Sequence, residues 1–139
     1  MNTAADLLRQ HFETLVADNA RWRTLIADEI VWELPYASAI GHPERLSGRD
    51  AVVRHVTWFL GAVEKFRFFD VSVHAFADPG AAVAEAKAEG LIKPTGRMYR
   101  QEYVVFLRAT AGKIVFLREY FDPVRAARAL DAPIVGLQR

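Results

Sequence analysis

Apolar residues recur at three- and four-residue steps near the start of the chain. Ala4, Leu7, Leu8, His11, Phe12, Leu15 and Val16 fall on one side of a helix, with Asn2 or Thr3 available as its cap. The spacing predicts an amphipathic helix over 3–18, ended by Asn19, and then a short helix carrying Trp22, Leu25 and Ile26. EIVWELP, residues 29–35, switches to β-branched and aromatic character and stops at a proline, which reads as a strand. ASAIGHPERLSGRD is rich in turn formers, punctuated by Gly41, Pro43 and Gly48, and offers Ser47 or Asp50 as a cap. The helix it leads into, about 49–63, sets Val52, His55, Val56, Phe59 and Val63 on one side. From Phe66 the pattern predicts four strands, roughly 66–77, 81–92, 98–109 and 113–121, joined by ADPG, KPTG and TAG. VRAARAL, after Pro123, predicts a short final helix.

Strand alternation assigns faces. In the last strand Val115, Leu117, Glu119 and Phe121 share one side, and Ile114, Phe116, Arg118 and Tyr120 share the other. Both sides are mostly apolar, so both are expected to be covered, and Glu119 must be paired, neutralised or used. Val83, Glu85, Lys87 and Glu89 share a face opposite Ala82, Ala84, Ala86 and Ala88, small residues that let another element pack closely. Together with Glu33, Arg100 and Glu102, these charged groups are expected to form cross-strand pairs on an outer or dimer-facing surface, with Glu85 as a minor pocket candidate. Helices first and a meander last is an α+β order, and a strongly curved sheet can wrap a helix to leave a hollow interior.

The 139 residues are 52% hydrophobic and fit a single domain, 1–139, with a sizeable core. A net charge of +1 without runs of like charge argues against a nucleic-acid partner. Zero cysteines removes disulfides and thiolate chemistry. No apolar run has the length of a signal peptide or membrane span, so the expectation is a soluble, cytoplasmic protein without a membrane partner.

Five stretches together resemble a known family: VWELPYA at 31–37, LSGRDAVVRH at 46–55, AEAKAEG at 84–90, YRQEYVVFLR at 99–108 and GKIVFLREYFDP at 112–123. In order and spacing they are similar to the SnoaL-like group of the nuclear-transport-factor-like, or ketosteroid-isomerase-like, fold, which includes the phenazine-biosynthesis isomerase/condensation proteins. The resemblance implies a cone-shaped barrel, a strongly curved antiparallel sheet wrapped around three helices. It also implies that an acidic residue in the REYF-type strand, here Glu119, belongs to the active site, and that a histidine on the LSGRDAVVRH helix, here His55, faces the substrate. It places the strand end at Leu34-Pro35 near the cone mouth, which favours Trp32 and Tyr36 as ligand contacts. Two branches of the fold do not carry over. Leu34 stands where a steroid-isomerase base would be, with Val104 or Val105 in place of the protonated aspartate. AEAKAEG supplies Lys87 and Glu89 rather than the Arg-x-Asp of the epoxide-hydrolase-like relatives.

The residues themselves point to acid–base chemistry. Desolvation on an apolar face would raise the Glu119 carboxyl toward neutral pH, where it can serve as an acid or base, and the alternative is a structural pair with an arginine or lysine. His55, flanked by Val52 and Phe59 on its helix, exchanges protons near neutrality, unless it is a border residue satisfied by a carbonyl or water. Trp32, Tyr36, Trp58, Tyr99, Tyr103 and Phe121 would hold a flat ring, and the tyrosines could donate to a carbonyl oxygen gaining charge, although each is also an ordinary core former. His11, His42, His55 and His74 make no HxH or HExxH pattern, and GxGxxG, GxxxxGK and GxSxG are missing, so no metal or cofactor is expected. The function expected is a cofactor-independent isomerase, cyclase or lyase acting on a small cyclic or aromatic carbonyl compound. The competing reading is a non-catalytic binding or assembly module. The apolar outer face of the last strand predicts a homodimer through the sheet.

Overall fold

A computed structural model describes residues 2–137 of the chain. Helix α1 (Ala4–Thr14) starts at a reciprocal cap: Thr3 Oγ1 accepts from the Asp6 amide at 3.2 Å, and the Asp6 carboxylate accepts from the Thr3 amide at 3.1 Å. It ends earlier than its apolar spacing suggests. Asp18 caps α2 (Asn19–Leu25), and Ile26, grouped with that helix in the sequence pattern, instead opens strand β1 (Ile26–Glu33). A short 3-10 turn (Ala37–Ile40) and strand β2 (Arg45–Ser47) follow. Neither Ser47 nor Asp50 caps α3 (Arg49–Ala62): Ser47 is paired with Val31 in the sheet, and the cap position falls to Gly48 at φ 89°. The rest is β3 (Val63–Ala75), β4 (Ala81–Ile92), β5 (Arg97–Thr110), β6 (Lys113–Phe121) and α4 (Pro123–Leu130).

All six strands form one curved sheet in the order β2-β1-β6-β5-β4-β3. The architecture is α+β as expected, with two differences. The sheet is open rather than closed, and β1 runs parallel to β6, Trp32 lying opposite Leu117 and Glu33 opposite Arg118. No hairpin joins those two strands, so nothing local dictates an antiparallel direction. The described residues hold four helices, as the sequence pattern predicts, one more than the cone of the resemblance carries.

Bulges supply the curvature. The β3–β4 register steps between Glu64 and Arg67 and again between Phe69 and Ser72, and Lys65 and Asp70 adopt left-handed φ values of 52° and 51°. Gly90 on β4 passes beneath the first bulge, where a Cβ would stand 2.5 Å from Val63 Cγ1 and 3.1 Å from the Phe66 Cα. Ala82, Ala84, Ala86 and Ala88 form the buried inner face of β4, and their small size lets α1 lie against the sheet.

A third bulge changes a face assignment. Ala109 pairs with Ile114 and Arg108 with Phe116, leaving Val115 as the extra residue on β6. Ile114 therefore turns into the core with Leu117, both fully buried, instead of sharing the outer face with Phe116, Arg118 and Tyr120. Among the described residues no helix is long and apolar enough to cross a membrane.

Candidate active site

The concave side of the sheet, α3 and α4 line a pocket that opens to solvent at one end. Each wall comes from an alternation or a helical stripe. Strand β5 contributes Tyr99 and Tyr103, β6 contributes Glu119 and Phe121, β1 contributes Trp32, and α3 contributes His55, Trp58 and Phe59.

Among the described residues Glu119 is the one carboxylate on that wall. It lies opposite Val105 on β5, and Tyr103, paired with Phe121, is its diagonal neighbour. The residue keeps a little accessible surface, which belongs to the pocket it lines. Among the described residues no hydrogen bond or ion pair compensates its removal from water, and burial pushes the carboxyl up to about 8. At neutral pH Glu119 is thus mainly a protonated donor.

Tyr99 and Tyr103 are buried with their hydroxyl oxygens 3.2 Å apart. Burial pushes Tyr99 up to about 12 and raises Tyr103 well above its ordinary value, and a charge on Glu119 would raise both further. His55 is half-buried between Trp32 and Trp58, with ring centroids 6.2 and 5.8 Å away. Burial lowers its pKa, and the neighbouring His42 lowers it further, so it is a neutral imidazole at pH 7. Trp58, 47% exposed, stands at the mouth against His42 at 5.4 Å. Behind the pocket, Trp22 Nε1 donates to His11 Nδ1 at 3.0 Å, which fixes His11 as an acceptor, and burial lowers its pKa to about 4.

Seven of the nine sequence candidates line this pocket: Glu119, His55, Trp32, Trp58, Tyr99, Tyr103 and Phe121. Two do not. Tyr36 would continue the inward side of β1 if the strand ran on, but β1 stops at Glu33 and the turn after Pro35 swings the ring outward onto Tyr120, 5.5 Å away. Glu85 follows the β4 alternation to the outer face, because Ala84 and Ala86 occupy the inner one. Three of the six charged strand residues pair across the outer face, Glu33 with Arg118 at 2.9 Å, Glu89 with Arg67 at 2.8 Å and Lys87 with Asp70 at 3.7 Å, whereas Glu102 pairs with Arg125 of α4 at 3.5 Å. His42 was not among the candidates, since its position at the mouth depends on how the turn-rich segment folds back. Gln101, buried between the two tyrosines, was also missed, although YRQEY carries the alternation that puts all three on one face. Among the described residues no cluster of three or more His, Asp or Glu is arranged to hold a metal.

Known proteins fit this picture. A family model for the SnoaL-like domain matches residues 8–117. An uncharacterised PhzA/B-like protein of Pseudomonas aeruginosa is 32% identical over 128 residues, covering 91% of this chain and 89% of that protein. A solved structure of a candidate isomerase from Bacillus subtilis superposes with a TM-score of 0.82 at 28% identity, covering 92% of each chain. A candidate polyketide cyclase from Xanthomonas campestris shares the fold at a TM-score of 0.78 and 18% identity, covering 91% of this chain and 96% of the other. By the extent of the family match and the identity to the Pseudomonas relative, the chain belongs to the SnoaL-like domain family.

Proposed function

We propose that the protein is a cofactor-independent acid–base enzyme, an isomerase or cyclase acting on a small cyclic or aromatic carbonyl compound in the pocket. The observation that carries this reading is Glu119, an uncompensated carboxyl raised to about 8 on a wall otherwise built from aromatic and aliphatic side chains. The isomerase and cyclase descriptions of proteins sharing the fold support it.

The two shifts divide the roles. The group that holds its proton to higher pH, Glu119, acts as the acid, and the group that stays neutral to lower pH, His55, acts as the base. His55 takes a proton from the carbon next to the carbonyl, the electron pair of that C–H bond becomes the new C=C bond, the π pair of the C=O bond moves to the carbonyl oxygen, and Glu119 delivers its proton there. The resulting enol is reprotonated elsewhere in an isomerisation or attacks a second carbonyl in a cyclisation. Trp32, Trp58 and Phe121 hold the ring, and the tyrosine hydroxyls stabilise charge on oxygen.

Deuterium incorporation next to the carbonyl of a panel of cyclic ketones in heavy water, followed by NMR, tests the reading. The rate should plateau between a lower limit below 6.5 and an upper limit near 8. Glu119→Gln and His55→Ala should each lower it by roughly 10²–10⁴-fold while binding persists. Unchanged rates in both variants would remove their roles and leave a binding module.

The outer face of the sheet carries a file of aromatics: Phe76 lies 6.2 Å from Phe106, Phe106 lies 6.4 Å from Tyr120, and Tyr120 lies 5.5 Å from Tyr36. This apolar file, flanked by charged strand residues, is the face through which two copies would pair. Sedimentation showing only monomers at micromolar concentration would contradict the dimer.

A further inference from the structure

Gln101 is 1% exposed on the inner face of β5, and all four hydrogen-bonding positions of its amide are filled. Its Oε1 accepts from the backbone amides of Glu102 at 3.0 Å and Asp122 at 2.9 Å, and its Nε2 donates to the Asp122 carbonyl at 2.9 Å and the Tyr99 hydroxyl at 3.0 Å. A flipped amide would set its oxygen against the Asp122 carbonyl and its NH₂ against two N–H donors. The backbone therefore dictates which end faces Tyr99, and that end is a donor.

A phenol oxygen that has accepted one hydrogen bond has its own proton left to give. Tyr99 has one other hydroxyl within reach, that of Tyr103 at 3.2 Å. With Tyr99 donating to Tyr103, the Tyr103 proton points away from both partners, on the wall beside Glu119. Hydrogen bonds in such a chain polarise one another in the same sense.

We propose that Gln101 is a positioning residue that orders the chain Gln101 to Tyr99 to Tyr103, so that Tyr103, and not Tyr99, offers a hydroxyl proton to an oxygen of the bound ligand. This rests on the reading of the pocket as a carbonyl site, and it deepens that reading: the ligand class is one whose oxygen gains negative charge next to Tyr103 and is met by an aligned donor. Gln101 touches no ligand and acts through Tyr99.

Two measurements test it. Neutron diffraction from deuterated, unliganded protein should place the Tyr99 deuteron between the two phenol oxygens and the Tyr103 deuteron toward the pocket. A Tyr103 deuteron directed at Tyr99 would overturn the proposal, and neither result depends on a substrate. The second uses 4-nitrophenol, whose absorbance distinguishes phenol from phenolate when bound, on the acid side of the Glu119 midpoint. Tyr103→Phe should weaken phenolate binding about tenfold relative to phenol binding, the scale of a hydrogen bond to a charged group. Gln101→Glu is the decisive variant. A protonated carboxyl there would donate to the Asp122 carbonyl and accept from Tyr99, reversing the chain and turning the Tyr103 proton inward, so its loss should match that of Tyr103→Phe. Combining the two substitutions should add little. Gln101→Glu protein that binds phenolate like the parent would overturn the proposal. If Gln101→Glu does not fold, the neutron map of the parent decides. If 4-nitrophenol fails to bind the parent, the carbonyl-site reading falls while the deuteron positions still settle the direction of the chain.

Discussion

Glu119 shows how one residue can weigh against the fold that places it. An unfolded chain leaves the carboxyl near 4.5, whereas the pocket holds it at about 8. The folded state therefore binds the proton more tightly, so its advantage is complete below 4.5 and is lost as pH rises to about 8. At full ionisation the loss approaches roughly 5 kcal/mol, an upper bound because the residue keeps some accessible surface. Glu119→Gln, which preserves shape and removes the charge, should raise the urea midpoint at pH 8 and leave it nearly unchanged at pH 4. Equal midpoints for both proteins at pH 8 would mean that the carboxyl is solvated. This part of the site was legible in the sequence, because REYF sets an acid in an apolar alternation. Tyr36 came from the resemblance, which sets the strand end at the cone mouth; here β1 stops at Glu33 and the ring lies against Tyr120 on the outside instead.

Elements were legible as far as their own periodicity reached. The helices and the four long strands fall close to where residue spacing puts them, and the alanine face of β4 lies against α1 as its small side chains suggest. The bulges were not legible, since an extra residue is defined by the partner strand, and that is why Ile114 was placed on the wrong face. Gly90 marks where bulge and partner meet. Gly90→Ala would drive a methyl into Val63 and the β3 backbone, and the strand would have to straighten or shift. The expected cost is about 1–3 kcal/mol, read as a lower urea midpoint. An unchanged midpoint would show that β3 does not cross β4 so closely.

Across the whole molecule buried histidines and a buried carboxyl titrate in opposing senses. His11 is held neutral with its pKa lowered from 6.5 to about 4, so its contribution is present above 6.5 and is lost as pH falls toward 4. Glu119 loses its contribution in the other direction, from 4.5 to about 8. Between 4.5 and 6.5 the fall caused by Glu119 is opposed by His11 and by the lowered His55, and above 6.5 only the carboxyl remains. Stability should decline from 6.5 to 8, with the decline abolished in Glu119→Gln; a wild-type urea midpoint that stays constant to pH 8.5 would refute this.

The parallel pairing of β1 with β6 also has a consequence for synthesis. Trp32 has finished leaving the ribosome long before Leu117, its opposite number, is translated, so the first strand waits without its main partner through some eighty-five codons. The pocket wall is accordingly among the last parts to take shape on a nascent chain, and a messenger cut short before the final strand would yield α1, α3 and the central hairpins without that wall.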